Sequence, residues 1–148
     1  MYQHQELTHK IIAAAIEVHK ILGPGLLESA YRFCIALELQ NQGLCYQQEV
    51  NLPLLYKSKR VDCGFRIDFL VEGAAVLELK SVESMLPVHK AQLLTYLRLT
   101  GKQIGLLINF NIALLKHGIY RCVFNAHEHV VKSSATSRSD NSFNAEGE

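Results

Sequence analysis

The segment 66–81, RIDFLVEGAAVLELKS, places Asp68, Glu78 and Lys80 among residues that otherwise read as buried strand. Burying a charge is costly unless it is paired, hydrogen-bonded or bound to a metal, so each of the three needs a local partner. Side chains alternate across a strand, which puts Glu78 and Lys80 on one face and Leu77 and Leu79 on the other. Arg66 and Asp68 likewise share a face opposite Ile67 and Phe69. An odd-numbered loop centred on Gly73 pairs Val71 with Ala75 and hence Asp68 with Glu78, whereas a two-residue loop puts Leu77 opposite Asp68. We take the first register. Two carboxylates side by side on neighbouring strands repel, so the pair calls for a cation or a shared proton. A hard divalent ion bound through oxygens suits them, with Lys80 near enough to contribute.

The elements that must position these residues are legible in the periodicity. Leu7, Ile11, Ala14, Ala15, Val18 and Leu22 recur at helical spacing, and Gly23-Pro24-Gly25 stops that helix. LLESAYRFCIALELQNQG predicts a second helix with an apolar stripe of Leu27, Ala30, Cys34 and Leu37, extended by Leu44, and capped by Gly43. YQQEVNLPLLY and CGFRIDFLV then read as two strands around the polar turn Lys57-Ser58-Lys59-Arg60, with Pro53 marking a bulge or edge. AAVLELKS is a third strand, and PVHKAQLLTYLRLTG is a helix with Pro87 in its first turn and Gly101 at its end. QIGLLINF, nearly continuous in apolar residues, predicts a central strand covered on both faces, and GIYRCVF an additional one. The order ααβββαββ implies an α/β fold with a mixed sheet flanked by helices. We assign residues 1–131 to a single domain and 132–148, rich in Ser, Asn and charged residues, to a disordered tail.

Composition narrows the partners. A chain of 148 residues with 49% hydrophobic and 20% charged content describes one globular domain. Its formal net charge of +1 provides no general basic field, so attraction to nucleic acid must come from a local patch or a bound cation. Cys34, Cys45, Cys63 and Cys122 form no CxxC pair, and the N-terminus MYQHQELTHK shows no apolar signal segment, so free thiols in a reducing cytoplasm are the expectation. No apolar run approaches the roughly 20 residues of a membrane span.

Asp68 followed after one hairpin by Glu78-Leu79-Lys80 resembles the PD-(D/E)xK nuclease signature, and Gln92-Leu93-Leu94-Thr95-Tyr96 is similar to the QxxxY element of RecB-type members. GLLESAY, Gly25 to Tyr31, resembles the motif of the GxxExxY protein family, a compact branch of that superfamily. HKILGPGLLESAY, VDCG, ELKSVE, PVHKAQLLTYL and GLLINFN extend the resemblance over roughly residues 7 to 125. Ile67 stands where the nominal signature has proline. The resemblance implies a restriction-endonuclease-like core and metal-dependent cleavage of phosphodiester bonds, most directly in DNA.

Carried over by position, the resemblance implies that Asp68 and Glu78 hold Mg²⁺, or Mn²⁺ in its place, with the backbone carbonyl of Leu79 and the helical Glu28 completing the site. It implies that Lys80 lies beside the attacking water or phosphate, and that Gln92 and Tyr96, one helical turn apart, position Lys80 or the scissile phosphate. The residue types fit that chemistry: a divalent cation activates water and offsets charge growing on nonbridging oxygens, and a lysine adds a compact charge without displacing it.

Each assignment has a structural rival. Asp68, Glu78 and Lys80 could form an ion pair; Glu28 could simply be an acidic residue of a first helical turn; Gln92 and Tyr96 could be a helix surface pair. Tyr31 reads as a core tyrosine with its hydroxyl satisfied, His19 and His89 as surface or capping residues, and His127 and His129 as a weak HxH pattern. Lys57, Lys59 and Arg60 could contact phosphate or be solvated. Two functions follow: a metal-dependent nuclease, or a noncatalytic nucleic-acid-binding or complex-assembly module on the same fold. A homodimer would supply two sites for cutting both strands, though no sequence feature marks its interface.

Overall fold

The structure, a computed structural model, describes residues 4–62 and 64–125. Two helices open the chain, α1 (Gln5–Leu22) and α2 (Glu28–Asn41). There follow β1 (Tyr46–Asn51), a short hairpin of β2 (Leu54–Tyr56) and β3 (Lys59–Val61), then β4 (Arg66–Val71) and β5 (Ala75–Lys80). Helix α3 (Pro87–Thr100), β6 (Ile104–Asn109), a 3-10 turn (Leu115–Gly118) and β7 (Ile119–Val123) complete it. The main sheet runs β1-β4-β5-β6-β7, with β5 and β6 parallel and the other neighbours antiparallel. The parallel pair exists because α3 supplies the crossover between its strands. This is a mixed α/β sheet flanked by helices, consistent with a restriction-endonuclease-like core.

Ile11, Ala14, Ala15 and Val18 of α1 are buried against Phe69, Leu77, Leu79 and Leu106, as the helical spacing requires. The second face of the sheet packs Val76 and Leu107 against Leu93, Tyr96 and Leu97 of α3. Contact there is close because Gly105 has no side chain: an added Cβ would lie 2.8 Å from Leu93 Cδ1. Every residue of β6 is buried, the outcome expected of its continuous apolar run.

Helix α2 departs from the expected stripe. Its buried residues are Tyr31, Ile35, Ala36 and Leu39, whereas Leu27 and Leu37 are 78% and 46% exposed. Tyr31 sets the rotation. Its ring stacks on Phe110 with centroids 4.5 Å apart, while its hydroxyl donates to Gly23 O at 2.6 Å and accepts from Leu26 N–H. That reading of Tyr31 as a satisfied core residue holds, and the loop it clamps needs positive φ at both Gly23 and Gly25. The helix ends as expected, with Gly43 at positive φ and Leu44 N–H returning to Leu39 O.

The run expected as one strand from Tyr46 to Tyr56 is broken at Leu52-Pro53. Proline cannot donate to the ladder, and beyond it the chain leaves the main sheet to form the β2–β3 hairpin, rejoining at β4. Leu52 N–H donates to Phe65 O at 2.8 Å and closes the neck of this excursion. The turn itself is Lys57-Ser58, both at positive φ, so Lys59 and Arg60 belong to β3. Among the described residues no helix is long and apolar enough to cross a membrane, and Cys34, Cys45 and Cys122 are free thiols. Cys63, His127, His129 and the segment 132–148 lie outside the described residues.

Candidate active site

The β4–β5 hairpin pairs Val71 with Ala75, Leu70 with Val76 and Phe69 with Leu77, the first of the two registers open to the sequence. The turn achieves it differently from a plain odd loop. Glu72 and Gly73 both adopt positive φ (54° and 61°), Ala74 N–H donates to Val71 O, and Ala74 is one extra residue before the ladder begins.

Beyond Phe69 and Leu77, side-chain carboxylates take over from the ladder. Asp68 N–H donates to Glu78 Oε1 at 3.0 Å, and Leu79 N–H donates to Asp68 Oδ2 at 2.8 Å. Each carboxylate thereby satisfies a backbone donor of the opposite strand and keeps its second oxygen for another partner. Both are nearly buried, Asp68 at 9% and Glu78 at 5% exposure. Burial pushes the Glu78 carboxyl up to about 8; the adjacent Asp68 carboxylate adds to the rise, while the Asp68 N–H and the Lys80 ammonium oppose it.

A cleft of about 300 Å³ opens over this pair, lined by Glu28, Arg32, Glu49, Lys80, Gln92 and Tyr96 among others. The structure thus brings together all six side chains that the sequence singled out: Glu28, Asp68, Glu78, Lys80, Gln92 and Tyr96. Leu79 contributes only backbone, its side chain being fully buried on the opposite face. Because a strand residue directs its N–H and C=O toward the same neighbour, the Leu79 carbonyl faces β4 as its N–H does. Tyr96 is 5% exposed, and its phenol is pushed up first by burial and then by Glu78 and Asp68, so it stays a neutral donor facing two acids. The Gln92 side chain lies beside that phenol and opposes the rise.

Three further contributors had not been singled out. Arg32 Nη1 lies 3.2 Å from Asp68 Oδ1 and 3.6 Å from Glu28 Oε1, so a guanidinium already serves as the cation that the paired acids require. Its spacing of four residues from Glu28 was the available signal. Glu49 sits between Gln48 and Val50, whose partners are Phe69 and Ile67, and therefore lies across from Asp68. Its φ of 49° distorts the strand, and Ile67 packs with the α3-side cluster instead of sharing a face with Phe69 as the alternation predicts. Nothing in the sequence marked that distortion. Phe65, just before β4, lines the cleft beside Gly64.

As a metal site the cleft offers Asp68, Glu78 and the Leu79 carbonyl, hard oxygen donors on two paired strands, with the Arg32 guanidinium as the cation now beside Asp68. Glu28 stands at its edge, held by Arg32, and no group of three or more His, Cys, Asp or Glu side chains converges to hold an ion among the described residues. Two carboxylates and a carbonyl are the kind of oxygen donors a hard divalent cation takes, and with so few of them such an ion would keep positions for water and substrate. The other candidates sit apart: His19 bonds to Ile112 O, and His89 Nδ1 accepts Leu86 N–H at the start of α3, a capping role. Lys57, Lys59 and Arg60 are exposed on the β2–β3 hairpin.

No curated protein and no solved structure matches the chain. The model of one family does, over residues 5–122, a span that contains every residue of the cleft. That family is typified by nucleases, which generally use divalent metals and act on nucleic acid. With the match covering most of the chain, and paired acids followed by a lysine on its central hairpin, the chain belongs to the PD-(D/E)XK nuclease superfamily.

Proposed function

We propose that this protein is a Mg²⁺-dependent nuclease of the GxxExxY type that hydrolyses phosphodiester bonds in DNA. The observation that carries the reading is the hairpin in which Asp68 and Glu78, both buried, are locked to each other's strands with Lys80 in the same cleft. Asp68, Glu78 and the Leu79 carbonyl would hold Mg²⁺, with Glu28 at the margin. When bound, the ion activates water and offsets charge developing on the phosphate.

The chain's own residues do the rest. Lys80 places a compact positive charge beside the phosphate and the attacking water, where it stabilises the transition state more than the ground state. Tyr96 and Gln92 orient that group from α3, the neutral phenol being available as a donor at the wall of the acidic cleft. Burial of both acids keeps their interaction with the cation weakly screened.

The contact of Arg32 with Asp68 favours one other reading, a noncatalytic nucleic-acid-binding or assembly module in which the acids are a structural ion pair. Labelled single-stranded, duplex and flapped DNA, and RNA, incubated with Mg²⁺, Mn²⁺ or EDTA, separate the two. The nuclease reading expects cleavage that requires metal and is lost in a folded Lys80→Ala variant. Failure of the wild type to bind metal would sink the catalytic assignment.

A further inference from the structure

Beside the acidic cleft lies a larger groove of about 540 Å³, walled by Leu52, Leu54 and Phe65 on one side and by Val88, Thr95 and Leu99 of α3 on the other. It is continuous with the cleft, because Phe65, Gln92 and Tyr96 line both. The walls are apolar and partly open to solvent: Phe65 is 39%, Leu99 42% and Val88 63% exposed. Among the described residues no Asp, Glu, Lys or Arg borders it; the polar groups within reach are His89, Gln92, Thr95 and the Tyr96 phenol.

An apolar slot that shares an aromatic wall with a phosphate-cleaving site suits the other half of a nucleotide. We infer that the groove receives an unpaired nucleobase flanking the scissile phosphate, so that the enzyme acts on single-stranded segments. The inference rests on the nuclease reading for what occupies the adjoining cleft. A base presents an apolar face and polar edges, matching walls of Phe65 and aliphatic side chains with a few hydrogen-bonding groups. A paired base cannot enter, since its edges are engaged and its faces stacked. The same excursion that supplies Leu52 and Leu54 carries Lys57, Lys59 and Arg60 on its exposed hairpin, a basic feature suited to the backbone of the strand whose base is held.

The test uses the full chain with Ca²⁺ as the probe metal, so that binding is read apart from cleavage. A fluorescent oligo-dT strand, the same strand built of abasic residues, and a duplex of equal length are compared. The abasic strand keeps every phosphate, so base capture predicts that it binds about 5- to 100-fold more weakly than oligo-dT, the span that one stacking platform provides. Ala91→Trp, which fills the groove from an exposed helix position, should erase most of that difference while metal binding measured by calorimetry is unchanged, and Phe65→Ala should reduce it. A 4-thiothymidine strand should cross-link to groove residues. Equal binding of oligo-dT and abasic strands by a protein that cleaves with metal would overturn the groove assignment and leave the nuclease reading intact. Base-dependent binding without cleavage would do the reverse, and no binding to any strand would overturn both.

Discussion

The sharpest consequence of the Asp68–Glu78 geometry concerns the proton on Glu78. Its carboxyl is pushed from 4.5 to about 8, first by burial and then by Asp68, so the folded protein holds a proton that the unfolded chain would release. With the native state binding more protons than the unfolded state, stability falls as pH rises between those two values. That contribution is complete below the unfolded value and is lost as pH climbs through about 8. Each unit is worth about 1.4 kcal/mol, so between roughly pH 6 and pH 9 this one group should cost the metal-free protein about 2–3 kcal/mol. Glu78→Gln imitates the protonated form: its amide oxygen can still accept the Asp68 N–H now held by Glu78 Oε1. In EDTA, denaturant unfolding should find the variant close to wild type only near pH 4, and its advantage over wild type should grow by about 2–3 kcal/mol between pH 6 and pH 9. Other titrating groups are common to both chains and cancel. Saturating Mg²⁺ should narrow the gap at high pH, because the ion stabilises mainly the protein that retains both carboxylates. Parallel stability curves for wild type and variant across that range would refute the reasoning.

The remaining expectations are simpler. Arg32→Ala removes the guanidinium 3.2 Å from Asp68 Oδ1, so it should tighten Mg²⁺ binding several-fold in calorimetry while lowering the stability of the metal-free protein; weaker Mg²⁺ binding would show that Arg32 is not a competing cation. Gly118→Ala would set a Cβ 2.4 Å from Asn109 O, a backbone atom that cannot step aside, and should cost about 1–3 kcal/mol in thermal or denaturant unfolding.

The sequence disclosed elements wherever local pattern and burial agree. The stripe of α1, the fully buried β6, the Pro87 start and Gly101 end of α3, and the Gly43 cap are each determined by a few neighbouring residues. The hairpin register was legible because slipping one strand by one residue would set Leu77 opposite Asp68 and send Glu78 to the other face of the sheet. What was hidden depends on tertiary choice. The buried face of α2 is fixed by Tyr31 meeting Phe110, which is 79 positions away, so local apolar spacing pointed to the neighbouring stripe. Arg32 was overlooked for the same reason: a guanidinium on a helix reads as solvated until α2 is rotated to face β4. The β2–β3 excursion was masked because its flanks continue the β pattern, leaving Pro53 as the only local sign that the chain leaves the sheet.

The same exchange of hydrogen bonds explains why the site is rigid and how it should be probed. In an ordinary ladder the acids could be removed without disturbing the backbone, since main-chain groups would satisfy one another. Here Leu79 N–H depends on Asp68 Oδ2, and Asp68 N–H on Glu78 Oε1, both in buried surroundings. Truncating either acid to alanine orphans a donor, a loss of about 1–3 kcal/mol that has nothing to do with metal. Substitution by Asn or Gln retains an oxygen for the backbone while removing the charge. An Asp68→Asn variant that folds like wild type but no longer binds Mg²⁺ therefore isolates the electrostatic role, whereas Asp68→Ala mixes it with damage to the hairpin. The carboxylates are part of the sheet's own hydrogen bonding, which is how one pair of side chains can fix the strand geometry and offer a preorganised seat for a cation.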